Sequence, residues 1–346
     1  MSNALTDYLS KFSEAEWLAA VDGLLPCVHD VDKEAVQIWF RFYPLDLKRY
    51  LDASEDREAA ELGLAMLGDF GLEGKIDSSH YFLYGHRYWK TVKAAIEAET
   101  IVFKNATPTL IEEFMAIGMV VAEKLHVERQ MVNAMVIIGL ATLNQVGVEA
   151  FNAAPGEVEK PSGKMAKSPN VVIAERAKDD SQGLFGFLKT VNKTYSVAYS
   201  NGKLKGKFDI VNEQEISTAS SNDRSRNWQE QDSRCWEGVV PVECVSASCG
   251  TCWVGVLGGA EKLTGVSRRE RRAMKVFGYN QPEGDRPFLR LACQAKATGN
   301  ATIVIPPWNA VFGKKVRGNV EDVELEPNTT SARKLREVVK SAVSGE

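Results

Sequence analysis

The hydrophobic pattern changes period once along the chain. From residue 1 to about 151, apolar positions recur three and four apart behind helix-start signals, which predicts an all-α half. Ser13 with Glu16 forms a capping box before Trp17, Leu18 and Val21, and Pro26 ends that segment. Asp32 reads as the cap of a helix carrying Val36, Ile38, Trp39 and Phe40 up to Pro44, and Ser54 as the cap of one through Leu62, Leu64, Met66 and Leu67. Ser78 or Ser79 opens a helix with Tyr81, Tyr84, Tyr88, Trp89, Val92 and Ile96, and Thr107 with Pro108 opens another through His126. A last helix spans Glu128 to Phe151. Its Met131, Met135, Val136, Ile137, Ile138, Leu140 and Leu143 leave little polar surface, which places it at the centre of a bundle.

Residues 152–188 gather Pro155, Gly156, Pro161, Ser162, Gly163, Lys164, Lys167, Ser168 and Pro169, a composition that suits a flexible linker. In 189–312 the period falls to two. Lys193 to Tyr199 alternates as a strand, Asn201-Gly202 offers a turn, and Leu204 to Val211 returns as the hairpin partner. Residues 313–346 form a polar tail whose pattern allows a helix at Ala332 to Val343. The expected class is α+β in two domains: an N-terminal all-α helical bundle, 1–151, followed by a sheet domain.

Composition narrows the function classes. A chain of 346 residues with 44% hydrophobic and 25% charged content can fill two cores and is unlike a disordered segment. Its net charge of -4 lacks the basic excess that nucleic-acid phosphates demand. The start, Met1-Ser-Asn-Ala-Leu-Thr-Asp7, carries no secretory signal, and the run from Ala134 to Leu143 is short for a membrane span. A cytoplasmic location is expected, where clustered thiols bind metal more often than they form disulfides.

The placement of the six cysteines supplies the chemistry. Cys244, Cys249 and Cys252 stand in a C-x4-C-x2-C array, and Cys293 follows in Arg290-Leu-Ala-Cys-Gln-Ala295. This is the plant-type [2Fe–2S] spacing, in which three thiolates come from one tight loop and the fourth from a separate segment. Ser246, Ala247, Ser248 and Gly250 are small enough for the loop backbone to approach the cluster sulfides, and Gly250 tolerates backbone angles that side chains resist. Structural zinc competes for four cysteines, but zinc sites usually pair two C-x2-C-like elements.

On these residues the chain resembles the plant-type and bacterial [2Fe–2S] ferredoxin family over about Thr190 to Val311. Trp253 to Leu257 reads as the strand after the ligand loop, and Gly258-Gly259 as its turn. Ser267-Arg-Arg-Glu270 reads as a capping box for a helix ending at Phe277-Gly278, and Ala301 to Ile305 as the final strand before Pro306-Pro307. The resemblance implies a β-grasp fold with Cys244, Cys249, Cys252 and Cys293 as cluster ligands. It departs from the family in the polar stretch Ser217 to Ser233, where a short helix is usual, and in the long interval from Cys252 to Cys293.

No strand, G-x-G-x-x-G and helix follow one another, so a nicotinamide or flavin motif is missing and no substrate site is expected. The function implied is one-electron transfer for a larger redox enzyme, such as a hydrogenase, dehydrogenase or oxygenase, docked through the helical domain. That domain also offers a surface for an oligomer. Two alternatives remain: a helical domain with its own metal or haem, and a redox-regulated binding protein. For the former the inventory is His29, His80, His86 and His126 with Glu112, Glu113, Glu123 and Glu128. Cys27 and Cys235 read as small buried hydrophobes. Arg268, Arg269, Arg271, Arg272 and Lys275 form a basic run on the helix after the capping box, with two readings: a solvated face, as most such runs are, or a surface that steers an acidic partner toward the cluster.

Overall fold

The computed structural model describes residues 3–42, 45–65, 68–77, 83–103, 109–158, 166–177, 193–202, 204–278, 281, 287–309, 316 and 339–343. They comprise an N-terminal helical region and a five-stranded mixed sheet. The chain divides into two compact units, Met1–Arg57 with Gly71–Glu175, and Glu58–Phe70 with Arg176–Glu346.

In the first unit lie α1 (Ala4–Leu9), α2 (Glu14–Leu24), α3 (Asp30–Phe42), α4 (Leu45–Asp52), α6 (Trp89–Val102), α7 (Leu110–Leu125), α8 (Gln130–Ala153) and most of α9 (Pro169–Arg176); α5 (Arg57–Ala65) falls almost wholly in the second. Helix α8 is the hub. It packs against α1, α3, α4, α6 and α7, and its side chains from Met131 to Asn144 are all buried. The long apolar stretch forms a helix of 24 residues, long and apolar enough by length and composition to cross a membrane, whereas the run Ala134 to Leu143 alone is too short. Of its most apolar window, 78% is buried. Gly147, at φ 82° and ψ 166°, breaks its helical path. Gly118 of α7 lets α8 approach closely, since a Cβ there would stand 2.5 Å from Asn133 Oδ1.

The Ser13–Glu16 capping box forms as expected. Other starts differ for local reasons. Asp32 lies inside α3, where its buried carboxylate accepts the Tyr84 backbone N–H at 2.7 Å; it serves a neighbouring segment instead of capping its own helix. Ser54 closes α4 by donating to the Tyr50 carbonyl, and α5 begins at Arg57. Leu62, expected to be on a buried face, is 69% exposed. Helix α6 starts only at Trp89, after a tight turn at Gly85–Arg87 that holds Tyr84 and Tyr88 outside it. The capping box of α7 is Thr109 with Glu112, which also bears on a start at Thr107; Thr107, Pro108, Ser78, Ser79 and Tyr81 lie outside the described residues. Within 152–188, α9 buries Val172 beside Val31, Tyr84 and Met131.

The second unit holds β1 (Thr194–Ser200), β2 (Lys205–Val211), β3 (Trp253–Gly258), β4 (Leu289–Leu291) and β5 (Ala301–Val304) in the order β2-β1-β5-β3-β4. Strands β1 and β5 are parallel and the other neighbours antiparallel. The expected hairpin is present, with Val197 opposite Phe208. Helices α10 (Ile216–Ser220), α11 (Trp228–Gln231) and α12 (Arg268–Phe277) complete the unit. The polar stretch Ser217 to Ser233 thus contains two short helices. Trp228 buries its ring against Tyr199, and Ser220 accepts the Val240 N–H at 3.0 Å. Residues 58–70 belong here because Gly68 bridges Trp308, the Asp69 N–H donates to the Pro307 carbonyl at 2.9 Å, and Phe70 stacks on Trp308 with centroids 5.1 Å apart. Of the tail, residues 339–343 are helical, and the rest of Ala332 to Val343 lies outside the described residues.

The buried Glu113 gives the helical unit a pH signature. It is 5% exposed, and burial, with the Glu99 charge adding, pushes its carboxyl from 4.5 up to about 7. A folded pKa above the unfolded one means that this contribution to stability is complete below pH 4.5 and is lost as the pH rises through about 7. Glu113→Gln is expected to flatten the fall in unfolding free energy across that window in urea titrations. A slope unchanged by the substitution would contradict the burial of an ionisable carboxyl.

Candidate metal centre

The loop from Cys244 to Cys252 enters β3 directly, and the pairing of β3 with β4 sets Trp253 opposite Leu291. One residue further, the Ala292 N–H donates to the Cys252 carbonyl at 2.9 Å, so the loop's last cysteine and the segment of Cys293 are tied by main chain. Helix α10 supports that segment from another side, with the Ser217 N–H donating to the Ala292 carbonyl and the Ile216 N–H to the Ala295 carbonyl, both at 3.0 Å. The later segment is thereby held against the loop by backbone hydrogen bonds, which tolerate side-chain variation but not slippage.

The four thiols fall into two pairs. Cys249 and Cys244 are hydrogen-bonded, as are Cys252 and Cys293, while Cys249 interacts electrostatically with Cys252 and Cys244 with Cys293. Cys244, Cys252 and Cys293 are buried and Cys249 is half-buried. The thiols stand in two pairs, and the described residues contain no group of three or more His, Cys, Asp or Glu that could hold a metal ion as they stand.

Backbone amides surround the sulfurs. Those of Ser246 and Ser248 donate to Cys244, that of Ala247 to Cys293 and that of Thr251 to Cys249. The loop turns these groups inward through left-handed residues: Ala247 has φ 60° and Gly250 φ 69°. For Ala247 that conformation costs about 1–2 kcal/mol, which the surrounding contacts must offset. Successive N–H groups turned to one side form a concavity suited to negative charge. The sulfurs respond accordingly. The Cys249 thiol, the Ser248 hydroxyl and the two serine amides bring Cys244 down to about 4 against the opposing effect of burial. Cys293 is lowered by Cys252, Gln294 and the Ala247 amide, whereas donation to the partner sulfur and burial raise Cys249 and Cys252.

Other side chains complete the support without any signal in the cysteine spacing. Gln294 Nε2 donates to the Val245 carbonyl at 3.1 Å and the Cys293 carbonyl at 2.9 Å, and lies 3.6 Å from Cys293 Sγ. It stitches loop to segment. Ser267 caps α12 by accepting the Glu270 N–H, but the reciprocal half of the expected capping box does not form. Glu270 instead turns inward to a bidentate pair with Arg290, at 2.8 and 3.0 Å, and accepts the Leu291 N–H at 2.8 Å. Both side chains are almost fully buried, so an ion pair locks α12 to the strand leading into Cys293. A Glu at the third helical position carries the same sequence signature whether it caps its helix or pairs elsewhere.

The remaining candidates fall elsewhere. Cys235 is buried, its Sγ 3.3 Å from the Val239 carbonyl, and burial pushes its thiol up to about 12, as a small hydrophobe should behave. Cys27 is exposed, contrary to expectation, and its carbonyl accepts from Asn133 Nδ2 at 2.7 Å. In the helical unit His29 Nδ1 accepts the Val31 N–H, His86 lies edge-on to Tyr84, and His126 is the exposed left-handed C-cap of α7. Glu112 is taken by its capping box, Glu123 and Glu128 are exposed, and His80 lies outside the described residues. Among the described residues, these histidines and glutamates form no group of three or more that could hold a metal ion. No protein-family model, curated protein or solved structure matches the chain.

Removal of the Glu270 carboxylate leaves Arg290 charged and buried, which is expected to cost about 3–5 kcal/mol. Glu270→Ala should therefore lower stability by that order, and adding Arg290→Leu should restore part of it. Equal losses in the single and double variants would show that the pair does not act as a unit.

Proposed function

We propose that the chain is a one-electron carrier whose Cys244, Cys249, Cys252 and Cys293 hold a [2Fe–2S] cluster in a ferredoxin-like β-grasp unit. The observation that carries this reading is the arrangement of the thiols in two pairs ringed by inward backbone amides. Two irons with two thiolates each suit two pairs better than one metal drawing four ligands to a point. The hairpin, the strand after the loop, the helix ahead of Cys293 and the mixed sheet accord with the architecture that the resemblance implies.

Such a cluster accepts and releases one electron, and the chain's own groups set the terms. The amides of Ser246, Ala247, Ser248 and Thr251 favour added negative charge on the sulfurs, which stabilises the reduced form. Burial of Cys244, Cys252 and Cys293 limits water at the ligands, while half-buried Cys249 and Val245, 65% exposed, mark the side open to a partner. Donor and acceptor belong to a separate redox enzyme, such as a hydrogenase, dehydrogenase or oxygenase, and the helical unit supplies a second surface for docking to it.

Replacement of any one of Cys244, Cys249, Cys252 or Cys293 by Ser is expected to remove most of the visible absorbance of anaerobically purified protein, while Cys27→Ser and Cys235→Ser leave it intact. Unchanged absorbance in all four ligand variants would overturn the proposal, as would stoichiometric zinc in the native protein.

A further inference from the structure

Helix α12 turns a basic face outward immediately beside the candidate cluster site. Arg268, Arg269, Arg271, Arg272 and Lys275 are all exposed, and the helix's one carboxylate, Glu270, is buried in the pair with Arg290. Arg268, Arg271 and Arg272 make no ion pair among the described residues. Three of these arginines occupy the first turn, where the helix dipole disfavours cations, and Arg268 with Arg271 and Arg272, like Arg271 with Lys275, are like-charge neighbours three or four apart. The local sequence thus works against the helix it forms, and breaches of that kind mark positions kept for a purpose other than folding.

The face is coupled to the site by short links. Its cap, Ser267, donates to Gln294 Oε1 at 3.3 Å, and Gln294 reaches Cys293 Sγ at 3.6 Å. Its far end packs Phe277 against Trp253, the residue after Cys252, with ring centroids 6.4 Å apart. The apolar side of α12, with Ala273, Val276 and Phe277, is buried in its own unit, so it has no face left to insert into a lipid surface. A chain of net charge -4 that concentrates five cations here has an oriented field, whose complement is an acidic surface.

Resting on the electron-carrier reading, we infer that the exposed face of α12 is the docking surface for an acidic protein partner, steering it over the open side at Val245, which Gln294 joins to the α12 cap. The full chain and its R268Q/R269Q/R271Q/R272Q variant are compared by anisotropy for binding of a fluorescein-labelled oligoglutamate peptide at about 20 and about 200 mM salt, concentrations that bracket strong screening. The wild type is expected to bind on the order of tenfold more tightly at the lower salt, and the variant to lose on the order of tenfold there while keeping its Tm. Equal binding by the two proteins overturns the inference. A four-lysine variant at the same positions should retain the salt-dependent binding, which separates charge from a change in fold. Cosedimentation of the wild type, but not the variant, with phosphatidylserine vesicles would identify a membrane as the partner and overturn the protein assignment.

A second readout uses small oxidants. Protein reduced with dithionite passes one electron to cobalt, Co(III) becoming Co(II), and recovery of its absorbance gives the rate. Cobalt(III)–EDTA, an anion, should outpace hexaamminecobalt(III), a cation, at low salt, and the substitutions should erase that preference. Equal rates in the wild type overturn the docking face while leaving the carrier reading intact. Protein that is colourless even though the peptide binds overturns the carrier reading, and with it the redox role of this face.

Discussion

Everything in the candidate site depends on bringing Cys293 against a loop that ends at Cys252. Cysteines remote in sequence can act on one cofactor only if their backbones are fixed relative to each other. The bond from the Ala292 N–H to the Cys252 carbonyl does this at the shortest range, continuing the β3–β4 pairing past its last register pair. Helix α10 holds the same segment from behind, and the buried Glu270–Arg290 pair clamps α12 across it. With the frame fixed, the left-handed turns at Ala247 and Gly250 direct amide protons at sulfur. The arrangement is preorganised for negative charge.

That frame explains why a mixed set of forces is used. Main-chain bonds set the spacing of the two cysteine segments, burial of three of the four thiols shields them from water, and the ion pair resists sliding of the helix. The helical unit is built differently, around one helix whose buried face runs nearly all round. Residues 58–70, although they follow the early helices in the chain, pair and stack with Pro307 and Trp308 in the sheet unit. The units are therefore interleaved along the chain, and separating them by one cut would strip the sheet unit of those contacts.

What was legible in the sequence was whatever has a local cause. The Ser13–Glu16 capping box, the hairpin turn at Asn201-Gly202, the buried helix from Met131 to Leu143 and the thiol spacing each follow from residues a few positions apart. What escaped was set by tertiary partners. Asp32 looks like a cap but answers the Tyr84 amide, and Glu270 looks like half of a capping box but answers Arg290. Gly68 pairs with Trp308 through a single bridge that has no periodicity to detect, and α9 lies in a segment whose proline and glycine suggested a tether. Gln294 sat beside Cys293 in plain view, yet nothing in its spacing disclosed that it joins the loop to that segment.

The most direct test is the metal and its magnetism. Anaerobically purified chain, assayed for iron and acid-labile sulfide and examined by low-temperature electron paramagnetic resonance after reduction by dithionite, should hold about two irons and two sulfides per chain and show the signal of one unpaired electron. A colourless protein that contains zinc or no metal and stays silent after reduction would contradict the account.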